Sequence, residues 1–372
     1  MRNIVVIIGD SLNNTMGLIR SLGKCNADMY LFIASPSRWC NMTHSRYVKK
    51  YRLQTFTDFK ELYPLLETIK NMPCKKYIIC TFDKAAEWVD ANESYLSTYF
   101  ITPCRGSKLG NLFNKKEQCE LAAECGLDVP NSFVYSTGEK INYVNISYPV
   151  LTKPLISSEG SKADIHICRN SEQLRKVIEE GQMPKSFIIQ EFIEKEYEIN
   201  CIGIRTDNEC MIGCAIKKIR HYPDIYGAAS FAQALSPDSF LINRMAINKF
   251  LEKSGYYGPF SIEFLHCKDK NYFMEVNFRN DGLAYTATCA GVNLYDAYIN
   301  NKMTDTNNFR PIYMMNIGDD FRLLKQNGQL SIFKWLNQFF SSKCYIDIDF
   351  HDLKPVLWKP IYFILRRLPF IK

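Results

Sequence analysis

The sequence predicts an α/β N-terminal domain with a parallel sheet, followed by α+β domains. Two observations support this division. Up to about residue 105, apolar runs such as NIVVII and KYIIC alternate with helical segments, which is typical of parallel strands buried on both faces. From about residue 146, strands bounded by turn residues follow one another, which is typical of antiparallel pairing. A chain of 372 residues is long enough for two or three domains.

The composition excludes several classes of protein. The chain has 47% hydrophobic and 23% charged residues, as globular proteins do, and a net charge of +7. Its basic residues are dispersed except in SRYVKKYR, so nucleic-acid binding is not predicted. Fourteen cysteines lie in apolar segments without CxxC spacing, which indicates reduced thiols in a cytoplasmic protein.

The N-terminal elements follow from the same patterns. Residues 3–24 predict a buried strand, a Gly/Asp/Ser/Asn turn and a helix that ends near Gly23. Further strands are predicted in ADMYLFIA and KYIICTF, and a helix in DKAAEWVDANESYL. We expect residues 1–105 to form one three-layer domain.

A helix with clear end signals is predicted in NKKEQCELAAECGLDVP. Asn114 is expected to cap it, Glu117 to complete a capping box, and Gly126 to end it. Lys115 and Lys116 are unusual at a helix start, because each opposes the helix dipole by roughly a few tenths of a kcal/mol. They indicate a functional role or, equally, compensation by Glu117 and solvent.

A polar face is predicted on one strand near residue 275. A helix from about Asp238 to Ser254 precedes two strands that form a hairpin around KDKN. Side chains in a strand alternate between faces, so the second strand has a polar face and an apolar face. The polar side chains are Glu275, Asn277 and Arg279, and the apolar ones are Met274, Val276 and Phe278. With Glu263 on the partner strand, the polar face offers oxygen ligands for Mg²⁺, although a solvated sheet face is the alternative.

Two further segments have features of a nucleotide site. Lys153 ends an apolar strand before a loop of small residues whose N–H groups can approach a phosphate. Those loop residues are Ser157, Ser158, Gly160 and Ser161, and an ordinary hairpin turn is the alternative. In IIQEFIEKEYEIN, a strand leads into a linker that can present backbone groups to adenine, and a later carboxylate can bind ribose. The alternative for this segment is an acidic β-hairpin.

The order of these features resembles the ATP-grasp superfamily, specifically its carboxylate–amine ligase branch, which includes D-aspartate ligases and amino-acid ligases. The resemblance covers residues 1 to about 305 and includes SRYVKKYRLQTF and TFDKAAEWV. It implies a pre-ATP-grasp domain at 1–105, a lid subdomain at 106–189 and a C-terminal subdomain with the metal site at 190–305. Residues 306–372 form an extension outside the resemblance.

The resemblance implies a site for ATP. Lys115, or alternatively Lys116, and Lys153 would hold the α- and β-phosphates, and the loop from Ser157 to Lys162 would close over the β- and γ-phosphates. The residues implied to contact the nucleoside are Gln190, Glu191 and the backbone of Phe192 and Ile193, with Glu198 on the ribose. Asn114 departs from the aspartate usual at this position in the family, but both residues cap helices.

It also implies a metal site and an acceptor pocket. Glu263, Glu275 and Asn277 would carry one or two Mg²⁺ ions, with Mn²⁺ as an alternative. Arg279 would face the transferred phosphoryl group. Arg279 and Glu275 are an even number of residues apart, so strand alternation places them on the same face, which supports this assignment independently. Arg220 would enter the acceptor pocket, where an exposed basic strand end is the alternative.

The implied activity is ATP-dependent formation of an amide from a small-molecule carboxylate and an amine, through an acyl phosphate. The alternatives are an ATP-binding scaffold without turnover and another ATP-grasp phosphoryl or carboxyl transferase, including one that modifies surface polysaccharides. The tail VLWKPIYFILRRLPFIK mixes apolar residues with Lys359, Arg366, Arg367 and Lys372, which suits either an anionic membrane surface at the inner face or packing on its own domain. A homo-oligomer is also consistent with the sequence.

Overall fold

A computed structural model describes most of the chain, namely residues 2–25, 27–35, 40–49, 52–105, 109–136, 138–155, 165–180, 186–225, 227–327 and 330–365. Within these ranges no helix is both long and apolar enough to cross a bilayer. All fourteen cysteines are free thiols, as predicted.

The N-terminal part is a four-stranded parallel sheet in the order β3-β2-β1-β4. Its strands are β1 (Asn3–Asp10), β2 (Ala27–Ala34), β3 (Leu53–Phe56) and β4 (Lys76–Cys80). Its helices are α1 (Asn13–Leu22), α2 (Leu62–Glu67), α3 (Asp83–Ala91) and α4 (Glu93–Leu96). The central strands are apolar along their length because helices cover both faces of the sheet. The loops after β1 and β4 lie at the same edge of the sheet.

A second, four-stranded antiparallel sheet follows in the order β5-β8-β6-β7. Its strands are β5 (Ser132–Ser136), β6 (Val150–Pro154), β7 (His166–Cys168) and β8 (Ser186–Glu191). Helix α5 (Lys115–Cys125) precedes this sheet in the chain, and α6 (Ser171–Glu179) lies between β7 and β8 in sequence. Lys153 therefore sits near the end of a central strand, one residue before the strand stops.

The third sheet has seven strands in the order β13-β12-β9-β10-β11-β14-β15. Its strands are β9 (Tyr197–Arg205), β10 (Cys210–Tyr222), β11 (Ala228–Leu235), β12 (Gly258–Cys267), β13 (Lys270–Asn277), β14 (Ile312–Met315) and β15 (Ser342–Tyr345). The remaining helices are α7 (Arg244–Ser254), α8 (Tyr285–Cys289), α9 (Leu294–Asn300), α10 (Ile317–Asn327), α11 (Ile332–Ser341) and α12 (Lys354–Leu365). Residues beyond 306 thus add two strands to this sheet.

Helix α5 begins and ends where the sequence predicts, but the capping box is wrong. The Asn114 side chain accepts a hydrogen bond from the Lys116 N–H at 2.9 Å, and Gly126 ends the helix with φ +95°. The backbone N–H of Asn114 donates to the Asn111 carbonyl at 2.8 Å. It is therefore not bound by Glu117, whose side chain a capping box would require.

Two predictions about the following region are also corrected. Helix α7 begins at Arg244 rather than near Asp238, because Pro237–Ser239 form a separate 3₁₀ turn and Asn243 caps the helix through the Ala246 N–H. A register shift occurs where Glu263 and Phe264 pair with β13. This bulge places Phe273, not Met274, in the core with Val276 and Phe278.

Candidate active site

Two carboxylates face each other across the hairpin of β12 and β13. Glu263 pairs directly with Glu275, and Ser261 pairs with Asn277, so the Cβ atoms of each pair lie about 5 Å apart. The Asn277 amide donates to the Ser261 hydroxyl at 3.1 Å, which leaves its oxygen toward Arg279 at 2.9 Å. The predicted polar face of β13 is therefore present. Among the described residues, no group of three or more His, Cys, Asp or Glu side chains could hold a metal, and the donors here are two carboxylates and one amide.

Lys115 lies against this acidic pair. Its Nζ is 3.1 Å from the Glu275 carboxylate, whereas Lys116 pairs at 3.5 Å with Glu120 on the exposed side of α5. The positive charge of Lys115, opposed by burial and aided by Lys153, lowers the pKa of Glu275 to about 2. Of the two candidate lysines, the structure brings Lys115 to the site.

Lys153 is the second ammonium group at the site. It is 4% exposed and donates to the Gln190 side-chain oxygen at 3.1 Å. Burial and the neighbouring charge of Lys115 lower the pKa of Lys153 to about 8. The two lysines are held together because the Lys115 N–H donates to the Leu155 carbonyl, just beyond β6, at 3.1 Å. Two cations without enough anions between them favour a polyanionic ligand.

A third lysine, Lys218, joins Glu198 on β9 to Glu263 on β12 and was not predicted from the sequence. Its Nζ lies 2.9 Å from Glu198 and 2.7 Å from Glu263. Burial, opposed by Lys218 and reinforced by Glu275, raises the pKa of Glu263. Lys218 pairs directly with Glu198 on the neighbouring strand β9. This cross-strand Lys/Glu pair could have indicated Lys218 as a site residue, but only the strand pairing reveals it.

Glu198, predicted to contact a ribose, lies among three basic side chains. It pairs with Lys195, with Lys218 and, at 3.4 Å, with His221. Burial disfavours its charge, but His221, Lys218 and Lys195 together hold the pKa of Glu198 well below its ordinary value. The carboxylate is thus ionised and oriented, and one of its ammonium partners, Lys218, also binds Glu263.

Arg279 connects this site to the N-terminal sheet. Its Nε lies 2.5 Å from the carboxylate of Asp83, the first residue of α3 after strand β4. Next to it, the Asn280 N–H donates to the Cys80 carbonyl at 2.9 Å, and the Asn14 amide donates to the Asn280 carbonyl at 3.0 Å. The end of β13 is therefore fixed against the carboxyl ends of β1 and β4.

The strand end at Gln190 leads into a linker with specific backbone bonds. Glu191 accepts from the Asn131 N–H and amide at 3.2 and 3.1 Å, and the Phe192 N–H donates to the Pro149 carbonyl at 3.0 Å. Within the described part of the chain, the buried Gln190 Nε2 has no hydrogen-bond partner. The Gln190 side chain connects this linker to the site, because its oxygen accepts the hydrogen bond from Lys153.

A sequence model of the ATP-grasp domain matches residues 120–292. Among curated proteins, the formate-dependent phosphoribosylglycinamide formyltransferase of Bacillus subtilis is 27% identical over 146 residues, or 36% of this chain and 35% of that protein. The carbamoyl phosphate synthase large chain of Saccharolobus solfataricus is 24% identical over 200 residues, or 51% of this chain and 19% of that one. Residues 120–292, just under half of the chain, therefore correspond to an ATP-grasp domain.

Solved structures confirm the predicted fold beyond the ATP-grasp domain itself. The N5-carboxyaminoimidazole synthetase of Staphylococcus aureus, complexed with ADP, superposes with a TM-score of 0.65 at 15% identity, covering 88% of this chain and 85% of that one. An L-amino acid ligase from Bacillus licheniformis gives a TM-score of 0.58 at 14% identity, covering 84% and 79%. The chain spans about a third of the formyltransferase and a fifth of the synthase.

Two predicted parts of the ATP-grasp site need separate mention. Ser157, Ser158, Gly160 and Ser161 lie outside the described residues. Arg220 lies two residues beyond Lys218 on β10 but binds elsewhere, because Nε and Nη2 contact the fully buried Asp320 at 2.9 and 2.7 Å. Its Nη1 also donates to Gln338 at 2.8 Å. Arg220 therefore joins the sheet to α10 and α11, and it is not among the groups gathered around Glu263 and Glu275.

Removing the ammonium group of Lys218 is expected to destabilise the ATP-grasp domain. Lys218→Met leaves Glu263 without its nearest cation and Glu198 with only Lys195 and His221, so we expect a loss of about 3 kcal/mol at neutral pH. Lys217→Met, on the preceding residue, is the matched control and should cost less than about 1 kcal/mol. Chemical unfolding followed by circular dichroism measures both, and equal midpoints for the two variants would contradict the role of Lys218.

Proposed function

We propose that the protein is an ATP-dependent carboxylate–amine ligase that makes an amide by way of an acyl phosphate. The observation that carries this proposal is the clustering of three ammonium groups and two facing carboxylates, of which all but Lys115 lie within the residues 120–292 that match the ATP-grasp domain. A triphosphate with a divalent cation complements that pattern of charge. The names of two relatives agree, since one is an L-amino acid ligase and another depends on formate, a carboxylate.

In this proposal the triphosphate lies over Lys115 and Lys153. The Lys153 charge, disfavoured by burial, becomes favourable once phosphate oxygens approach. Adenine lies against the linker after β8, where the Phe192 N–H is already bound to Pro149. The donors for the base are therefore the Gln190 amide and the Ile193 N–H, with the ribose near Glu198. The loop from Ser157 to Lys162 would cover the β- and γ-phosphates.

The donor set suits Mg²⁺, with Mn²⁺ as an alternative. Glu263, Glu275 and the oxygen of Asn277 supply hard oxygen ligands on one sheet face. Burial, together with the charge of Glu275, raises the pKa of Glu263 although Lys218 lies beside it, so a divalent cation would favour the ionised form of Glu263. One or two ions bound there would neutralise charge on the phosphate oxygens.

The proposed reaction requires the protein to position the reactants and to stabilise negative charge. A substrate carboxylate oxygen attacks the γ-phosphorus, the bond to the β–γ bridging oxygen breaks, and ADP leaves. Lys218, which lies against Glu263, and Arg279, which lies against Asn277, would stabilise negative charge on the transferred group. An amine then attacks the acyl carbon, the nitrogen gives up a proton, which the departing phosphate can accept, and inorganic phosphate leaves with the carbon–oxygen electron pair to give the amide.

Turnover separates this function from an ATP-binding scaffold. We expect the purified chain to release ADP with Mg²⁺ and one pair in a matrix of carboxylates and amines. Glu275→Gln keeps the shape of the side chain but removes its charge, so ADP release should fall by about 100-fold or more. Glu120→Gln, on the exposed side of α5, is the control and should keep full activity. A Glu275→Gln variant as active as this control would contradict the assigned site.

Nucleotide binding should take up a proton above about pH 8. The folded-state pKa of Lys153 is lowered to about 8, so Lys153 is already charged in the free protein at pH 7 but largely neutral at pH 9. Bound phosphates raise this pKa, and the complex then gains close to about one proton at pH 9 and almost none at pH 7. Calorimetry with ADP in buffers of different ionisation enthalpy measures this uptake. Lys153→Arg stays charged at both pH values, so persistent uptake in that variant would exclude Lys153 as its source.

We also propose that the C-terminal helices contact an anionic membrane surface. Phe333 and Phe340 on α11 are 82% and 73% exposed, and Leu357 on α12 is 65% exposed. Ring contacts of 5.2 and 5.5 Å link Phe339 of α11 to Tyr345 of β15, and Tyr345 to Phe350 in the segment that leads to α12.

The charges on this surface are asymmetric. Lys334, Lys343 and Lys354 are exposed, while the nearby acids bind inward groups: Asp347 the N–H of Ile317, Asp349 the hydroxyl of Tyr285, and Asp352 the hydroxyl of Ser45. Exposed aromatic rings flanked by lysines suit anionic headgroups.

Vesicle sedimentation tests the membrane surface. The chain should bind vesicles that contain phosphatidylglycerol and bind phosphatidylcholine vesicles weakly, because both apolar and basic side chains contribute. Phe333→Ser with Phe340→Ser should reduce binding about tenfold or more, whereas Met245→Ser, at an 84% exposed site on α7, should not. Absence of binding, or concentration-dependent dimers that disappear in the double variant, would show that this surface serves another purpose.

A further inference from the structure

A cavity outside the proposed ATP site runs along helix α1. It begins at Ser11 and Asn13, just after strand β1, and extends to Arg20. Asn41 closes one side, and Pro355, at the start of α12, closes another. The cavity thus lies between the N-terminal sheet and the C-terminal segment.

Arg20 is buried in this cavity without enough hydrogen-bond acceptors. Its side chain is 1% exposed, and its Nη1 donates to the Ile346 carbonyl at 3.2 Å. Nε and Nη2 have no hydrogen-bond partner in the described part of the chain, because the Asp349 carboxylate is 3.9 Å away. A buried guanidinium group has five N–H donors, and leaving most of them unbound is costly.

The start of α1 adds to this demand for negative charge. Leu12 occupies the N-cap position, so no side chain caps the helix, and its first turn contains no acidic residue. Asp10 lies at this end, but its carboxylate accepts the N–H of Leu12 and the hydroxyl of Thr15, both at 3.1 Å, rather than an N–H of the first helical turn. The N–H groups of that turn can therefore bind a further anion. Side chains on a helix tilt toward its N-terminus, which directs Arg20 back along the cavity toward Asn13.

The acidic groups nearby are already bound. Asp347 also lines the cavity, but its two oxygens accept the N–H groups of Ile317 and Gly318 at 3.1 and 2.9 Å. Asp349 accepts the Tyr285 hydroxyl at 2.9 Å. Neither carboxylate supplies the hydrogen bonds that Arg20 lacks.

The cavity begins beside the proposed reaction centre. Asn14, next to Asn13, donates to the carbonyl of Asn280, which follows Arg279 in the chain. Arg20 lies seven residues beyond Asn13 on α1, or about 10 Å at the rise of a helix. A group bound by Arg20 could belong to a molecule whose other end reaches Arg279.

We propose that this cavity binds an oxyanion, a carboxylate or a phosphate, carried by one of the two substrates at a distance from its reacting group. This inference rests on the proposed ligase function for the reacting end. It narrows the substrate class to molecules that have a remote anionic group besides the carboxylate or amine that reacts. Arg20 and the N-terminus of α1 are the recognition elements.

Oxyanion binding is tested without turnover. Phosphate and malonate should raise the thermal unfolding midpoint of the full chain more than chloride does at equal ionic strength. Asn13→Asp places a carboxylate at the mouth of the cavity while suiting the helix dipole, so it should remain folded and lose the response. Arg20→Lys should retain part of it, and Arg20→Gln should lose it. A response in Asn13→Asp and Arg20→Gln equal to that of the unmodified chain would overturn the site.

Turnover provides the second test. Among substrates that support ADP release, those with a remote carboxylate or phosphate should have a KM about tenfold or more below that of analogues without it, and Asn13→Asp should abolish the difference. Phosphate-bearing and carboxylate-bearing analogues identify which oxyanion is preferred. Equal KM values would overturn the inference while leaving the ligase function standing. If no pair releases ADP, the ligase function fails, and the oxyanion titration still decides the site.

Discussion

The proposed active site depends on like charges that are held next to each other. Lys115 and Lys153 lie close enough to lower the pKa of Lys153, and Glu275 lies close enough to raise that of Glu263. These like charges are tolerated because opposite charges lie beside them. Lys115 lies against Glu275, and Lys218 lies against Glu263. Such an arrangement is stable only when the surrounding backbone fixes it, and it releases energy when a ligand supplies the missing counter-charges.

The fold fixes these charges through backbone contacts rather than through the charged groups themselves. Gln118 of α5 bonds both backbone groups of Val276, accepting its N–H at 2.9 Å and donating to its carbonyl at 3.2 Å. Since Gln118 lies on the first turn of α5, this bond places Lys115 over Glu275. The Lys115 N–H is bound in turn to the strand that carries Lys153. One short helix therefore sets the distance between the acidic hairpin and the second lysine.

Local patterns in the sequence were sufficient to predict the elements that carry the site. Strand alternation placed Glu275, Asn277 and Arg279 on one face, and the end signals of α5 placed Lys115 at a helix start. Both patterns depend on side-chain periodicity and caps within a few residues. The roles of these side chains toward ATP and Mg²⁺ remain predictions.

The errors and omissions share a cause, which is pairing between distant segments. Met274 was wrongly placed in the core because a bulge arises from the partner strand and not from β13 alone. Lys218 was missed because its significance comes from Glu198 on β9, which is next to its own strand β10, and from Glu263 on β12, which is the strand beyond β9. Arg20 lies in a helix that appears ordinary in sequence, and its burial comes from Ile346 and Asp349, more than 300 residues away. A charged residue indicates a binding site when the fold removes its water and the protein does not replace all of the lost hydrogen bonds. This can be judged only once the distant segments are in place.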